Sequence, residues 1–128
     1  MSISERTRKM LWGRSANRCA RCRRELIEDS VGLDDSTIIG KEAHIRGQST
    51  GGPRFDANLA DKLVDGFDNL ILLCGNCHDI VDSQVNTYTV EALRKMKAEH
   101  HAWVDEQLGP EDRQARAAAE TLASYIDK

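Results

Sequence analysis

The sequence predicts a small α+β domain in which short strands and a helix surround a structural four-cysteine zinc centre, with further helices at both ends of the chain. Three observations predict this fold class. Two C-x-x-C pairs, Cys19 with Cys22 and Cys74 with Cys77, supply four thiolates. Short apolar and β-branched runs lie between and beside these pairs, as in small strands. Helical patterns of apolar residues precede the first pair and follow the second.

The length of the chain, 128 residues, suits one compact domain with an extension. Only two Trp, two Tyr and two Phe are available, so a bound metal would add stability that a small core lacks. We expect residues 1–108 to form the domain and residues 109–128 to form a C-terminal helical extension or linker.

The setting of the four cysteines favours metal binding over disulfides. The first residues are charged, and the chain has neither the apolar core of a secretory signal nor a membrane span. We therefore expect a cytoplasmic protein without a membrane partner, in which C-x-x-C pairs are metal ligands. Redox-active or fortuitous cysteines are the alternative.

Charge is distributed unevenly along the chain. The net charge is −3, but residues 1–24 hold eight basic residues against one Glu, a local balance of +7 that leaves −10 for the rest. Such a segment can lie along phosphates, or it can be a solvated helix face. The basic residues are Arg6, Arg8, Lys9, Arg14, Arg18, Arg21, Arg23 and Arg24.

The first half of the chain contains a predicted helix and two predicted strands. Ser2 and Glu5 form a capping-box pattern for a helix that runs to about Ser15. Residues 25–27 predict a short strand, and the β-branched run from Thr37 to Ile45 predicts a second strand that carries His44.

A long glycine-rich connection follows, over residues 46–68, with a short helix expected at residues 58–64. Connections of this length are often functional, so we expect a loop that faces a substrate. The apolar run from Leu70 to Leu73 predicts a buried strand, and a helix with His78 and Asp82 on one face follows it.

The C-terminal quarter predicts two helices. Thr89 is a suitable N-cap for a helix over residues 90–108. Gly109 and Pro110 predict its end, because glycine terminates helices and proline cannot continue them easily. Residues 111–126, rich in Ala and Arg, predict a second helix.

The order of these motifs resembles that of the HNH nucleases. The resemblance covers about residues 18–108 and implies a ββα-metal finger, similar to a treble clef, beside the four-cysteine zinc centre. The three residues that correspond to the letters H, N and H are His44, Asn69 and His78. The motifs are Cys19-x-x-Cys22, Glu42-Ala43-His44-Ile45, Asn69-Leu70 and Cys74-x-x-Cys77-His78.

A narrower resemblance points to the nuclease domains of bacterial antiphage effectors, in which an HNH domain precedes a nucleotide-sensing SAVED domain. It rests on the Glu-Ala-His-Ile strand, the Gly52-Pro53-Arg54 loop, the spacing of His78 and Asp82, and the helix that follows. A homo-oligomer or a SAVED-like domain outside this chain would then regulate activity.

The resemblance also implies roles for individual residues. His44 would be the general base, because a neutral imidazole accepts a proton near neutral pH. Asn69 would hold the His44 ring through its side-chain amide. His78 and Asp82, four residues apart on one helix face, would bind a catalytic Mg²⁺ or Mn²⁺.

One position departs from the family pattern. Many HNH nucleases have Asp directly before the base histidine, where this chain has Ala43. Asp82 would then supply the carboxylate from the helix, with Glu42 as a candidate third ligand. Arg46 and Arg54 are candidate contacts to the substrate phosphate.

These expectations lead to a metal-dependent endonuclease that cuts double-stranded DNA with low sequence specificity, because no base-reading module is evident. Two other functions stay open: a non-catalytic zinc module that grips nucleic acid, and an RNA-cleaving enzyme of the same kind. Four residues also have a simpler interpretation: His44 as a core histidine, His78 as a zinc ligand, Asn69 as a turn residue and Asp82 as a solvated helix carboxylate.

Overall fold

A computed structural model describes residues 2–126, with side chains described as far as residue 108. The fold is a small α+β arrangement of four helices and two antiparallel sheets of two strands each. In chain order the elements are α1 (Glu5–Arg14), β1 (Ile27–Glu28), β2 (Thr37–Ile38), β3 (Gly40–His44), α2 (Asp61–Val64), a 3₁₀ turn (Phe67–Asn69), β4 (Leu70–Cys74), α3 (Gly75–Ser83) and α4 (Val90–Ile126).

The β3–β4 pair is the centre of the fold. Gly40 lies opposite Cys74 at one end, and His44 lies opposite Leu70 at the other. Every residue of β4 is buried, which is why its sequence is a continuous apolar run and not an alternating one. Both α1 and α3 contact β4. The core is completed by Leu11, Leu26, Ile45, Val81 and Leu93.

Helix α1 begins two residues later than the capping pattern predicts. The N-cap is Ser4, whose Oγ accepts a hydrogen bond from the Thr7 backbone N–H at 3.1 Å. The predicted cap at Ser2 is therefore wrong. Ser4 satisfies one of the backbone donors that the first turn leaves without a partner.

The predicted strand over residues 37–45 is divided between the two sheets. Its first part, β2, pairs with β1, and its second part, β3, pairs with β4. The change of partner occurs at Ile39, whose N–H donates to the Leu26 carbonyl at 2.8 Å. The next residue must be small, because a Cβ at Gly40 would lie 2.5 Å from the Trp12 ring.

Helix α4 does not end at Gly109 and Pro110, so that prediction is wrong. The helix runs continuously over Val90–Ile126 and crosses the predicted boundary between domain and extension. Proline removes one backbone donor, but the surrounding Ala, Glu, Gln and Arg residues have high helix propensity. The predicted cap is confirmed: Thr89 Oγ1 accepts from the Ala92 N–H at 3.2 Å.

Within the described residues, no helix has both the length and the apolar character that crossing a bilayer requires.

Candidate zinc centre and active site

The four cysteines converge on one point, as their spacing predicts. Their sulfur atoms all lie within 4.8 Å of one another, and the Sγ atoms of Cys22 and Cys74 are 3.9 Å apart. Sulfurs bound tetrahedrally to Zn²⁺ at about 2.3 Å would be about 3.8 Å apart. The donor set therefore fits a metal ion such as zinc.

Each C-x-x-C turn also directs backbone donors at a sulfur. The Cys22 N–H points to Cys19 Sγ at 3.5 Å, and the Cys77 N–H points to Cys74 Sγ at 3.4 Å. Cys74 is at the same time the N-cap of α3. These donors stabilise negative charge on sulfur, which is the form that binds a metal.

Burial affects the thiols of the cluster in different ways. It raises the pKa of Cys77 to about 12, although the Arg21 guanidinium donates to its sulfur at 3.3 Å. It also raises the pKa of Cys22. At Cys19 burial acts in the same direction, but backbone N–H donors outweigh it and lower the pKa. A bound cation would supply the charge compensation that the other thiolates need.

The cluster lies at one end of the β3–β4 pair and His44 lies at the other. Gly40, which lies opposite Cys74, is four residue steps from His44, a distance of about 14 Å along the strand. Helix α3 starts at the cysteine cluster and carries His78 and Asp82 in its following turns. A metal ion in the cluster would anchor the start of α3, which carries His78 and Asp82, to the end of β4, the strand that pairs with the one bearing His44.

His44, His78 and Asp82 line a single cavity of about 180 Å³. The other walls come from the long connection after β3, which agrees with the expectation that this loop faces the site. They are Gly47, Gln48, Ser49, Gly52 and Pro53. The structure thus brings together three of the predicted site residues from a strand end and a helix.

His78 and Asp82 form a close pair within this cavity. His78 Nε2 lies 3.0 Å from Asp82 Oδ2, and each side chain is about one third exposed, 33% and 32%. Adjacent ligands of an octahedral ion with bonds of about 2.1 Å would also be about 3.0 Å apart. The pair could hold two positions of such an ion. Across the described residues, the only convergent group of three or more metal-ligand side chains is the cysteine cluster.

Arg54 has a different position from the one predicted. Only 4% of its side chain is exposed, and its Nη2 donates to Asp82 Oδ1 at 2.6 Å. It also donates to the carbonyls of Ile45 at 2.7 Å and Val81 at 3.0 Å. The predicted phosphate contact is wrong, because every one of these bonds is intramolecular and the guanidinium is buried. Arg54 instead joins the end of β3 to α3 and orients the Asp82 carboxylate.

The ring of His44 is held by a residue that the motifs do not reveal. Its Nε2 lies 2.8 Å from Asp65 Oδ1, in a contact where the side chains are 20% and 13% exposed. Asp65 directly follows α2 and precedes Gly66, which in sequence looks like an ordinary helix end. Nothing in the local pattern points to a contact across twenty-one residues.

Asn69 does not hold the His44 ring, so that part of its predicted role is wrong. Its Oδ1 accepts from the Arg46 N–H at 2.9 Å, and its Nδ2 donates to the Arg46 carbonyl at 3.1 Å. The same Nδ2 donates to the Val64 carbonyl at 2.8 Å. The amide thus joins the backbone beyond His44 to the backbone before Asp65, and supports the site without contacting the ring.

Glu42 faces α1 and not the cavity. Its carboxylate accepts from Arg8 Nε at 2.8 Å and from Trp12 Nε1 at 3.0 Å. The expectation that Glu42 is a third metal ligand is therefore wrong.

Arg46 forms an ion pair with Asp56 at 3.0 Å and keeps 29% of its side chain exposed. The contact of Arg46 with a substrate phosphate therefore stays a prediction.

The remaining two histidines pack, as predicted. His100 is fully buried, with Nε2 3.0 Å from the Ser15 carbonyl. His101 lies against Phe67, with ring centroids 6.0 Å apart. Neither lines the cavity of His44 and His78.

No protein-family model matches this chain, and no curated protein matches it. The resemblance to HNH nucleases consequently stays an expectation from the motifs. The geometry of the cavity and of the cysteine cluster is what a proposal for this protein has to explain.

Proposed function

We propose that this protein is a metal-dependent endonuclease of the HNH type that hydrolyses phosphodiester bonds of double-stranded DNA with low sequence specificity. The observation that carries the proposal is the cavity that His44 shares with His78 and Asp82. It supports the proposal because a proton acceptor and a pair of ion ligands face the same space. The order of the motifs along the chain supports it independently.

Hydrolysis needs a group that takes a proton from the attacking water. His44 is suited to this step, because a neutral imidazole accepts a proton near neutral pH. As the water oxygen bonds to phosphorus, its proton passes to the His44 ring. The bond from phosphorus to the leaving oxygen breaks, and solvent water protonates that oxygen. The His44 imidazolium then gives its proton to the hydroxide left in solvent, which restores the neutral base.

His78 and Asp82 are the residues that would hold Mg²⁺ or Mn²⁺. When bound, such an ion supplies Lewis-acid stabilisation of charge on the scissile phosphate. The pair offers one nitrogen and one oxygen, which leaves positions for water and phosphate oxygens, as is usual for Mg²⁺. Arg54 holds the other Asp82 oxygen and so keeps Oδ2 directed at His78.

The internal contacts of the basic first segment, residues 1–24, weigh against the rival function of a non-catalytic nucleic-acid-binding module. Five of its eight basic side chains contact partners within the chain, so much of the segment serves the fold. The contacts are Arg8 with Glu42, Arg14 with Phe67, Arg18 with Glu25, Arg21 with Tyr88, and Arg23 with Trp103.

Plasmid nicking in the presence of Mg²⁺ or Mn²⁺ tests the proposal. We expect His44→Ala and Asp82→Ala each to lose at least about 10²-fold in rate, the usual contribution of acid–base or metal catalysis. Asp79→Ala is the matched control, since Asp79 is an exposed carboxylate on the same helix. It should cleave like the wild type.

Two results would oppose the proposal. Full activity of His44→Ala would remove this residue as the base. DNA binding without cleavage in any divalent metal would select the non-catalytic zinc module instead. A parallel assay on RNA decides between the substrates, because the mechanism requires no 2′-hydroxyl.

The narrower resemblance extends the proposal to a biological setting. We propose that the chain is the nuclease part of a cytoplasmic antiphage effector, controlled by self-association or by a further domain. Light scattering combined with the nicking assay tests this point. A strictly monomeric protein that is fully active without a partner would contradict it.

A further inference from the structure

We propose that Asp65 is a positioning residue for His44: it fixes the imidazole as the tautomer with hydrogen on Nε2, so that Nδ1 is the atom that accepts the proton. This inference rests on the proposed function for its catalytic meaning. The pairing itself rests only on the contact of 2.8 Å between His44 Nε2 and Asp65 Oδ1.

The hydrogen in this contact can be assigned by elimination. An ionised carboxylate accepts hydrogen bonds and cannot donate them. The hydrogen between the two atoms must therefore belong to His44 Nε2. A neutral imidazole has one donor and one acceptor nitrogen, so the lone pair of His44 is on Nδ1.

Asp65 approaches His44 from outside the cavity of the candidate active site. The cavity wall includes His44, His78 and Asp82 but not Asp65. Asp65 instead lines a neighbouring depression together with Gln48, Asp61 and Val64. The carboxylate thus holds the ring without occupying the space that water and phosphate need.

The backbone around Asp65 is itself fixed to the backbone around His44. Asn69 donates from Nδ2 to the carbonyl of Val64, the residue before Asp65. The same amide pairs with both backbone groups of Arg46, two residues after His44. One buried side chain therefore sets the relative position of the two segments, and the contact between ring and carboxylate follows from it.

The pairing also has an electrostatic consequence for the reaction. When Nδ1 accepts a proton from water, the ring becomes an imidazolium with hydrogen on both nitrogens. Its Nε2–H stays bonded to the Asp65 carboxylate, which stabilises the positive charge that forms. Asp65 gains no proton in this step. It acts through His44 and does not contact the substrate.

Nitrogen-15 NMR of the histidine rings tests the pairing without any cleavage assay. In the zinc-loaded full chain at neutral pH, we expect His44 to show the signature of a single Nε2–H tautomer. Asp65→Ala should convert it to a mixture of tautomers. Asp61→Ala is the matched control, because Asp61 is an exposed carboxylate in the same depression. It should leave the His44 signals unchanged.

Kinetics on plasmid DNA test the catalytic part. We expect Asp65→Ala to lower kcat by about 10- to 10²-fold, with KM changed little, because the ring loses its fixed orientation and the carboxylate that stabilises the imidazolium, and part of the population holds the wrong tautomer. Asp61→Ala should retain the wild-type kcat. Zinc content and circular dichroism should be the same for all three proteins, which separates positioning from folding.

The outcomes of the two assays are distinguishable. An Nδ1–H tautomer in the wild type, or an unchanged tautomer in Asp65→Ala, would overturn the pairing. A tautomer change with an unchanged kcat would overturn the positioning role. If the wild type shows the Nε2–H tautomer, Asp65→Ala loses it, and no protein cleaves nucleic acid, the pairing stands and the nuclease proposal fails.

Discussion

The buried guanidinium of Arg54 forms an ion pair with the partly exposed carboxylate of Asp82, in which Nη2 lies 2.6 Å from Oδ1. The arginine belongs to the long connection after β3, and the aspartate belongs to α3. Asp82 is thereby held on one oxygen by Arg54 and on the other by His78. The orientation of the candidate metal ligand depends on a loop residue far away in sequence.

The first prediction concerns the stability that this pair provides. We expect Arg54→Ala to lower the free energy of unfolding by about 3 to 5 kcal/mol, because it leaves buried carbonyls and a carboxylate without their donor. Urea denaturation of the zinc-loaded protein measures this change. Arg46→Ala is the matched control: its ion pair with Asp56 is more exposed, so the loss should stay below about 1 kcal/mol. Equal losses in the two variants would contradict the role given to Arg54.

The second prediction separates Glu42 from the candidate active site. Because its carboxylate binds Arg8 and Trp12, we expect Glu42→Gln to cost about 1 to 2 kcal/mol of stability but to keep cleavage within about twofold of the wild type. Asp82→Asn should lose most of its activity, and it should also lose stability because the buried Arg54 guanidinium loses its charged partner. Thermal denaturation and plasmid nicking on the same preparations provide the two readouts. A Glu42→Gln protein that is stable but inactive would restore Glu42 as a metal ligand.

The sequence predicts those parts of the site that depend on local spacing. His78 and Asp82 share a helix face because they are four residues apart, and the cysteine pairs form knuckles because two residues separate their members. The strand that carries His44 is recognisable from its β-branched and apolar residues. These features need only the period of a helix or strand, so the sequence alone is sufficient.

The supporting contacts could not be predicted in the same way. Asp65 meets His44 across twenty-one residues, and Arg54 meets Asp82 across twenty-eight, through a connection that has little regular structure. Local patterns carry no information on how such a loop folds back. The prediction for Glu42 fails for a related reason, because strand alternation indicates on which side of the sheet a residue lies but not which helix covers that side. At Pro110, a local helix-stop signal was overridden by the helix-forming residues around it.

The third prediction concerns the metal content of the cysteine cluster. We expect the purified protein to contain one equivalent of Zn²⁺, and removal of the ion by a chelator to abolish the helical circular dichroism signal, because ligand binding supplies folding energy. Cys77→Ser should lose the ion. His78→Ala should keep it, since the four sulfurs already lie within 4.8 Å of one another. A loss of zinc in His78→Ala would instead make this histidine a zinc ligand.

The fourth prediction is a loss of stability on mild acidification that originates at His101. Burial lowers the pKa of His101 to about 4, and the nearby Lys97 lowers it further, whereas an unfolded histidine titrates near its ordinary value of about 6.5. Between these two pH values the unfolded chain binds more protons than the folded chain, so stability falls as pH decreases from about 6.5 towards 4. After allowance for solvent screening of a partly exposed ring, the loss should be about 1 to 2 kcal/mol.

Denaturation at pH 7.5 and at pH 5.0, on the wild type and on His101→Gln, measures this effect. Protonation of the cysteine thiols lowers the stability of both proteins alike, so it cancels when the two are compared. The variant has no ring to titrate, and we therefore expect it to lose less stability than the wild type over the same pH interval. Equal losses in the two proteins would show that burial and the charge of Lys97 do not hold the His101 ring in its neutral form. The acid sensitivity would then belong to groups that both proteins share, namely the cysteine thiolates and the fully buried His100.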